Sequence, residues 1–292
     1  MTTSEDTHGR LTPSHWAWLA MFCLVVAAAY GPILTGMATD WARDDNYSHG
    51  FLVPFVSAYA LWVHRRWLAE LVWRPSWVGL AVILLGVVAL VLGEVGAEQF
   101  TKRVSFLIVV GGGILFLLGM PALRRLSFPY AYLFFMVPLP YIVYDSVAFP
   151  LKLMAARVAT GVVLAMGIPI YAEGNVIYLE STTLQVADAC SGIRSLMSLI
   201  ALGAAFAYLT QKGAARRWLL TLAAIPIAIF TNMLRIVGTA FLTHYYGVEM
   251  AMGFFHEFAG LAVFGTALVM LFALGLALQW AGRWLGTAGG QA

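Results

Sequence analysis

Cys190 is the residue with the most obvious capacity for covalent chemistry. It stands in Ala187-Asp188-Ala189-Cys190-Ser191-Gly192-Ile193-Arg194-Ser195, where a β-branched stretch gives way to an apolar helix. A thiol at a helix N-terminus faces unpaired N–H groups and the positive end of the helix dipole, and both favour the thiolate. Ser191 and Gly192 would let backbone N–H groups approach a reacting carbonyl, and Arg194, one turn on, adds positive potential. Arg235 lies inside an apolar run in Thr231-Asn232-Met233-Leu234-Arg235-Ile236, with Asn232 three residues earlier on the same helical face. A charge within a span is expensive and marks a candidate site, although an arginine can also snorkel or brace helices. His256 follows Gly253-Phe254-Phe255 and precedes Glu257 at the start of the last apolar run. Its ordinary pKa near 6.5 suits it to move protons at neutral pH; alone, it would read as a solvated cap. Together the three supply a nucleophile, a base and a cation. A Cys/His pair lets the thiolate form and lets the imidazolium protonate a leaving amine. Arg235 would pair with the thiolate or hold the oxyanion of a tetrahedral intermediate.

A second polar block, Asp44-Asp45-Asn46-Tyr47-Ser48-His49-Gly50, carries more polar groups than a short loop requires. Substrate contact by Asp45, Tyr47 and His49, or rigidity of the loop, are its two readings. A metal on Asp45 and His49 has no HxxH, CxxC or HExxH spacing behind it, and no metal or cofactor is expected. Cys23 sits within an apolar run without polar neighbours and is expected to be a packing residue. Two such differently placed cysteines do not make a disulfide framework.

The elements that must position these residues follow from composition. Of 292 residues, 61% are hydrophobic and 11% charged, about half the charged share of a soluble domain. A net charge of +3 is too mild for a nucleic-acid surface. With about 20 apolar residues needed per crossing, the chain reads as an all-α polytopic membrane protein. Eight spans are expected near 16–37, 51–64, 77–97, 104–120, 128–147, 191–210, 218–242 and 256–281. The first is expected to be an uncleaved anchor. They form one transmembrane domain over 16–281, between an N-terminal tail (1–15) and a C-terminal tail (282–292). The span at 51–64 is short. Residues 151–168, with Lys152 and Arg157, read as an interfacial or re-entrant helix, and residues 175–187, centred on Glu180-Ser181-Thr182-Thr183, as a small extracytoplasmic hairpin.

Positive residues are retained in the cytoplasm. With the N-terminus inside, the inner segments hold Arg10, Arg65, Arg66, Arg74, Arg124, Arg125, Lys212, Arg216, Arg217 and Arg283. The outer ones hold Arg43, Lys102, Arg103, Lys152 and Arg157. This excess favours both termini inside, and it sets Cys190, Arg235 and His256 at one outer surface.

Four ordered blocks resemble those of the exosortase/archaeosortase family, and specifically the bacterial exosortases, over about residues 40–265. They are Asp45 to Gly50; Phe134-Phe135-Met136-Val137-Pro138-Leu139-Pro140; Ala187 to Leu196; and Asn232 to Ile236 followed by Phe255-His256-Glu257-Phe258-Ala259-Gly260. Archaeal relatives typically carry Arg where His256 stands, so that position favours the bacterial branch. The resemblance implies a membrane cysteine protease or transpeptidase with Cys190, Arg235 and His256 as its catalytic triad. It implies exported substrates with a C-terminal signal of the PEP-CTERM type: a short motif, a transmembrane helix and a basic cluster. It also implies a bacterial inner-membrane location and a link to exopolysaccharide machinery. The rival classes are a small transporter, with Arg194 and Arg235 lining an anion path, and a non-catalytic scaffold of polysaccharide export. A transporter predicts interrupted helices in two related halves, which the sequence lacks; a scaffold predicts full function after Cys190→Ala.

Overall fold

Long apolar runs in lipid have one economical solution, since a helix satisfies every backbone group within its own segment. The computed structural model describes residues 12–66, 73–179, 183–185, 193–247 and 254–288, with the backbone alone described at 184–185, 193–194, 254–257 and 282–288. Among the described residues, six helices are long and apolar enough to cross a bilayer. They are α1 (Pro13–Arg43), α3 (Trp77–Val95), α4 (Gln99–Arg125), α6 (Tyr141–Ala165), α8 (Ala214–Tyr246) and α9 (Phe254–Ala288). Shorter helices are α2 (Leu52–Val63), α5 (Ser127–Tyr132) and α7 (Ile193–Thr210). The protein is an all-α polytopic membrane protein. Its contacts divide it into two compact units, Met1–Leu139 and Pro140–Ala292.

In the first unit, α3 and α4 form an antiparallel pair whose seam is set by glycine. Gly79, Gly86 and Gly93 are the buried residues of α3. A Cβ at Gly79 would run into the Phe116 backbone, one at Gly86 would meet Val109 Cγ2 at 2.6 Å, and one at Gly93 would meet Lys102 Cγ at 2.8 Å. Lipid tails are as apolar as leucine, so helices gain little from burial and associate instead by close van der Waals contact at small residues. Helix α1 lies on α4 through Val26, Tyr30 and Val109, a 3.1 Å hydrogen bond between the hydroxyls of Tyr30 and Ser105, and an ion pair from Arg103 to Asp40. Cys23, expected to pack, is instead exposed on α1.

Two stretches depart from the expected spans. Residues 128–147 are not one helix: α5 is followed by a 3₁₀ turn at Leu133–Met136, then by extended backbone, and α6 begins at Tyr141. The cause is Pro138 and Pro140, which cannot donate to a helix and push the preceding residues, Val137 and Leu139, out of the helical region. Residues 151–165 are not a separate interfacial helix but the second part of α6. At 25 residues α6 is about 37 Å long, enough to cross a hydrocarbon core of about 30 Å. Its buried stripe runs through Tyr144, Ala148, Lys152, Ala155, Ala159 and Val163. Lys152 therefore sits in mid-helix, with Nζ 4.0 Å from Asp145 Oδ1, and leaves the loop-charge count. The 12 residues of α2 make only about 18 Å, short of a crossing.

The expected hairpin is the second half of a three-stranded antiparallel meander, β1 (Ile170–Glu173), β2 (Val176–Leu179) and β3 (Thr183–Gln185). A two-residue loop, Gly174-Asn175, joins the Glu173↔Val176 pair, and Ile177↔Leu184 sets the register of β3. Ile170, Ile177 and Leu179 turn to one face, where they pack on Ala155, Ala156, Ala159 and Val163 of α6 and on Ile236 and Ala240 of α8. The alanines keep α6 thin enough for the sheet to lie close. Helices α7, α8 and α9 share a second core of Leu199, Leu220, Ala224, Ala228, Ala267 and Leu271.

Candidate active site

Helix α8 organises the site because it buries two adjacent flanks. Along one flank, Asn232 and Ile236 face α6, and Asn232 is 5% exposed. It lines a crevice with Leu151 and Ala155 of α6, Leu196 of α7 and Ile229 of its own helix. The other flank runs through Leu220, Ala224 and Ile227 into the core shared with α7 and α9. Thr231 and Arg235 continue it at one-turn intervals. Arg235 is half-buried, and its carbonyl accepts a 2.9 Å hydrogen bond from the Thr239 hydroxyl.

The Arg235 guanidinium meets α9 at Gly260: a Cβ there would stand 3.6 Å from Nη2 and 3.8 Å from Cζ. Residue 256 is four positions earlier on the same helix and so shares this face. The face carries on through Ala267 and Leu271, both buried against α7 and α8. Helix α9 thus turns the positions of His256 and Gly260 toward the flank of α8 that bears Arg235. Glu257 lies beside His256 on the backbone of α9; the side chains of both lie outside the described residues, as does that of Arg194 in the first turn of α7. Cys190, Ser191 and Gly192 lie outside the described residues altogether. What is described is the frame around them. Strand β3 ends at Gln185, α7 begins at Ile193, and Leu196 of that helix reaches the Asn232 crevice.

The Asp45–Gly50 block belongs to the first unit. Residues Asp45–Phe51 form a 3₁₀ helix capped by the Asp44 carboxylate, which accepts from the Asn46 N–H at 2.9 Å. The Ser48 hydroxyl donates to the Asp45 carbonyl at 3.0 Å. The block is fastened to the Phe134–Pro140 block, since Trp41 Nε1 donates to the Met136 carbonyl at 2.9 Å and Tyr47 donates its hydroxyl to the Leu139 carbonyl at 3.2 Å. Gly50 lies directly under the Trp41 indole, where a Cβ would overlap the ring. Both ring nitrogens of His49 are buried, with no partner in hydrogen-bond geometry among the described residues. Burial pushes the His49 pKa below its usual value, and the nearby backbone carbonyls of Phe135 and Asn46 pull the other way. Among the described residues no group of three or more His, Cys, Asp or Glu side chains could hold a metal ion.

Two pairs of the ordered blocks are therefore joined within their own units: Asp45–Gly50 with residues 134–139, and the start of α7 with Asn232. Sequence reasoning quoted Gly260 only as part of a motif. Its signal was the spacing 256, 260, 267, 271, which is one helical face. No curated protein and no solved structure matches the chain. The family model described as transmembrane exosortase matches residues 41–273, which include all four blocks. By that match the chain belongs to the transmembrane exosortase family.

Proposed function

We propose that the protein is a membrane-embedded cysteine protease or transpeptidase that cleaves the C-terminal sorting signal of exported proteins through a thioester on Cys190. Members of the family are in general membrane protein-sorting enzymes acting on exported proteins with such a signal. In this reading the Cys190 thiolate attacks the scissile carbonyl, and the electron pair moves to the carbonyl oxygen. Arg235 holds the thiolate and then the developing oxyanion. Collapse breaks the C–N bond, His256 protonates the departing amine, and water or an amine acceptor resolves the acyl enzyme.

The observation that carries this reading is the seating of the Arg235 guanidinium against Gly260, one turn from His256 on another helix. That geometry supports a reading in which a cation and a proton carrier stand at one level. Cys190 is three positions from Ile193, a reach of at most about 11 Å, and Leu196 in the first turn of α7 lines the crevice with Asn232, three positions from Arg235 on α8. Ser191, Gly192, Arg194, Asn232 and Glu257 support the centre, and Asp45, Tyr47 and His49 contact substrate. The motif resemblance supports a PEP-CTERM-type signal and a link to exopolysaccharide. A periplasmic site in the inner membrane with both termini cytoplasmic rests on the motif resemblance, because the loop-charge count assumed crossings at 51–64 and 128–147 that the structure redraws. The test is co-expression with an exported protein carrying a PEP-CTERM signal. Cys190→Ala should leave the C-terminal helix attached; undiminished processing would overturn the assignment.

A further inference from the structure

We infer that Gly260 is a positioning residue for the reaction, holding open the place on α9 that the Arg235 guanidinium occupies, one helical turn from position 256. The inference rests on the function proposed above. Arg235 leaves α8 from a flank that faces α9, and a long side chain there must either pass that helix or be stopped by it. The Cβ direction at residue 260 points at the guanidinium itself, at 3.6 Å from Nη2. That separation is ordinary van der Waals contact, so alanine fits without displacing anything. A longer side chain extending along this Cβ direction would compete for the space that Cζ and Nη2 now fill. It would turn the guanidinium off α9 and away from the face that carries His256. Gly265, five residues on, has open space around its Cβ position and so supplies a control on the same helix.

Gly260 touches no reacting atom in this scheme; it acts through Arg235. Removing a group that stabilises an oxyanion typically costs about 10²-fold to 10³-fold in rate. Gly260→Leu should therefore cut processing of the co-expressed substrate by about 10²-fold, with Gly260→Val between that and a near-normal Gly260→Ala. Gly265→Leu should process within about 3-fold of the parent, since nothing lies within 4 Å of its Cβ position. A readout that packing alone would not move is the pH dependence of Cys190 alkylation by iodoacetamide in a Cys23→Ala background. Gly260→Leu should shift that profile upward in the same direction as Arg235→Ala. The double variant Arg235→Ala/Gly260→Leu should be no slower than Arg235→Ala alone, because both act on one group.

If Gly260→Leu is not recovered in the membrane, Gly260→Val should show the intermediate loss and an upward shift while Gly260→Ala stays near the parent. Three results would overturn the inference: normal processing by Gly260→Leu and Gly260→Val, an unshifted alkylation profile in both, or additive losses in the double variant. Retention of processing by Cys190→Ala would instead sink the proposed function itself. Loss in Cys190→Ala and Arg235→Ala with normal Gly260→Leu would leave that function standing and remove the role of Gly260.

Discussion

The Tyr47 hydroxyl donates a hydrogen bond to the backbone carbonyl of Leu139 across 92 residues of sequence, at 3.2 Å. The carbonyl lies between Pro138 and Pro140, where no regular element can use it. One neutral hydrogen bond is worth about 0.5–1.5 kcal/mol net. Tyr47→Phe should lower the thermal midpoint in detergent by a few degrees without changing the helical circular dichroism. A midpoint equal to that of the parent would show that the bond carries no stability.

Gly50 makes a sharper prediction. A methyl group there would overlap the Trp41 indole, whose N–H is committed to the Met136 carbonyl. Overpacking of this kind costs about 1–3 kcal/mol. Gly50→Ala should thus be more damaging than Tyr47→Phe in the same melting assay, and its red-shifted or quenched tryptophan emission should report the displaced ring. Gly36, which has open space at its Cβ position, should accept alanine with a change below about 0.5 kcal/mol.

The seam between α3 and α4 should respond in the same way at larger scale. Gly86→Leu must separate two backbones now close enough for a Cβ to meet Val109 at 2.6 Å. Loss of recoverable protein or a midpoint fall of more than about 5 °C is expected, on the scale of about 2 kcal/mol or more for a chain of this length. Leu84→Ala, on the exposed side of the same helix, should have little effect.

His49 supplies a pH dependence. Its folded-state pKa lies below the ordinary 6.5 because burial disfavours the charged ring. Between those two values the unfolded chain binds more protons than the folded one, so stability rises with pH across that interval. The contribution is fully present above pH 6.5 and is lost as pH falls toward the lowered value. The slope is at most about 1.4 kcal/mol per pH unit for one proton. Melting curves should fall between pH 7.5 and pH 5.5, and His49→Gln should flatten that dependence. An unchanged slope in the variant would assign the effect to other groups.

The thiol provides a direct check on activation. With Cys23 replaced by alanine, iodoacetamide should modify Cys190 faster at pH 7 than a free thiol of ordinary pKa, about 8.5, and Arg235→Ala should slow the reaction. Equal rates in parent and Arg235→Ala would detach the guanidinium from the thiolate.

Much of the helical frame was legible in the sequence because lipid leaves a chain few options. The runs at 77–97, 104–120, 218–242 and 256–281 fall on α3, α4, α8 and α9. Hydropathy failed at Val137-Pro138-Leu139-Pro140, where an apolar run hides a break that only the proline backbone reveals. It failed again at 151–165, because Lys152 and Arg157 looked interfacial; Lys152 is buried on α6 and Arg157 is exposed. Strand β1 was missed because Ile170-Tyr171-Ala172-Glu173 has no partner in sequence until Gly174-Asn175 folds β2 onto it. Of the site, residue types were readable and depth was inferred from charge. The pairing of Arg235 with Gly260 was not, since glycine leaves no side chain to suggest a contact and the partners are 25 positions apart.

Helix α8 has one more implication, for how the chain tolerates changes of length. Asn232 and Arg235 occupy neighbouring flanks of a single rigid rod, 60° apart by helical geometry at about 100° per residue. One residue inserted between Ala228 and Asn232 would swing both by about 100° relative to the part of α8 below them, taking Asn232 off α6 and Arg235 off α9 together. The same insertion beyond Thr243, past Ile236 and Ala240 where the sheet is anchored, would leave both bearings unchanged. Natural or engineered length variants should therefore gather at the far end of this helix and be excluded from its middle.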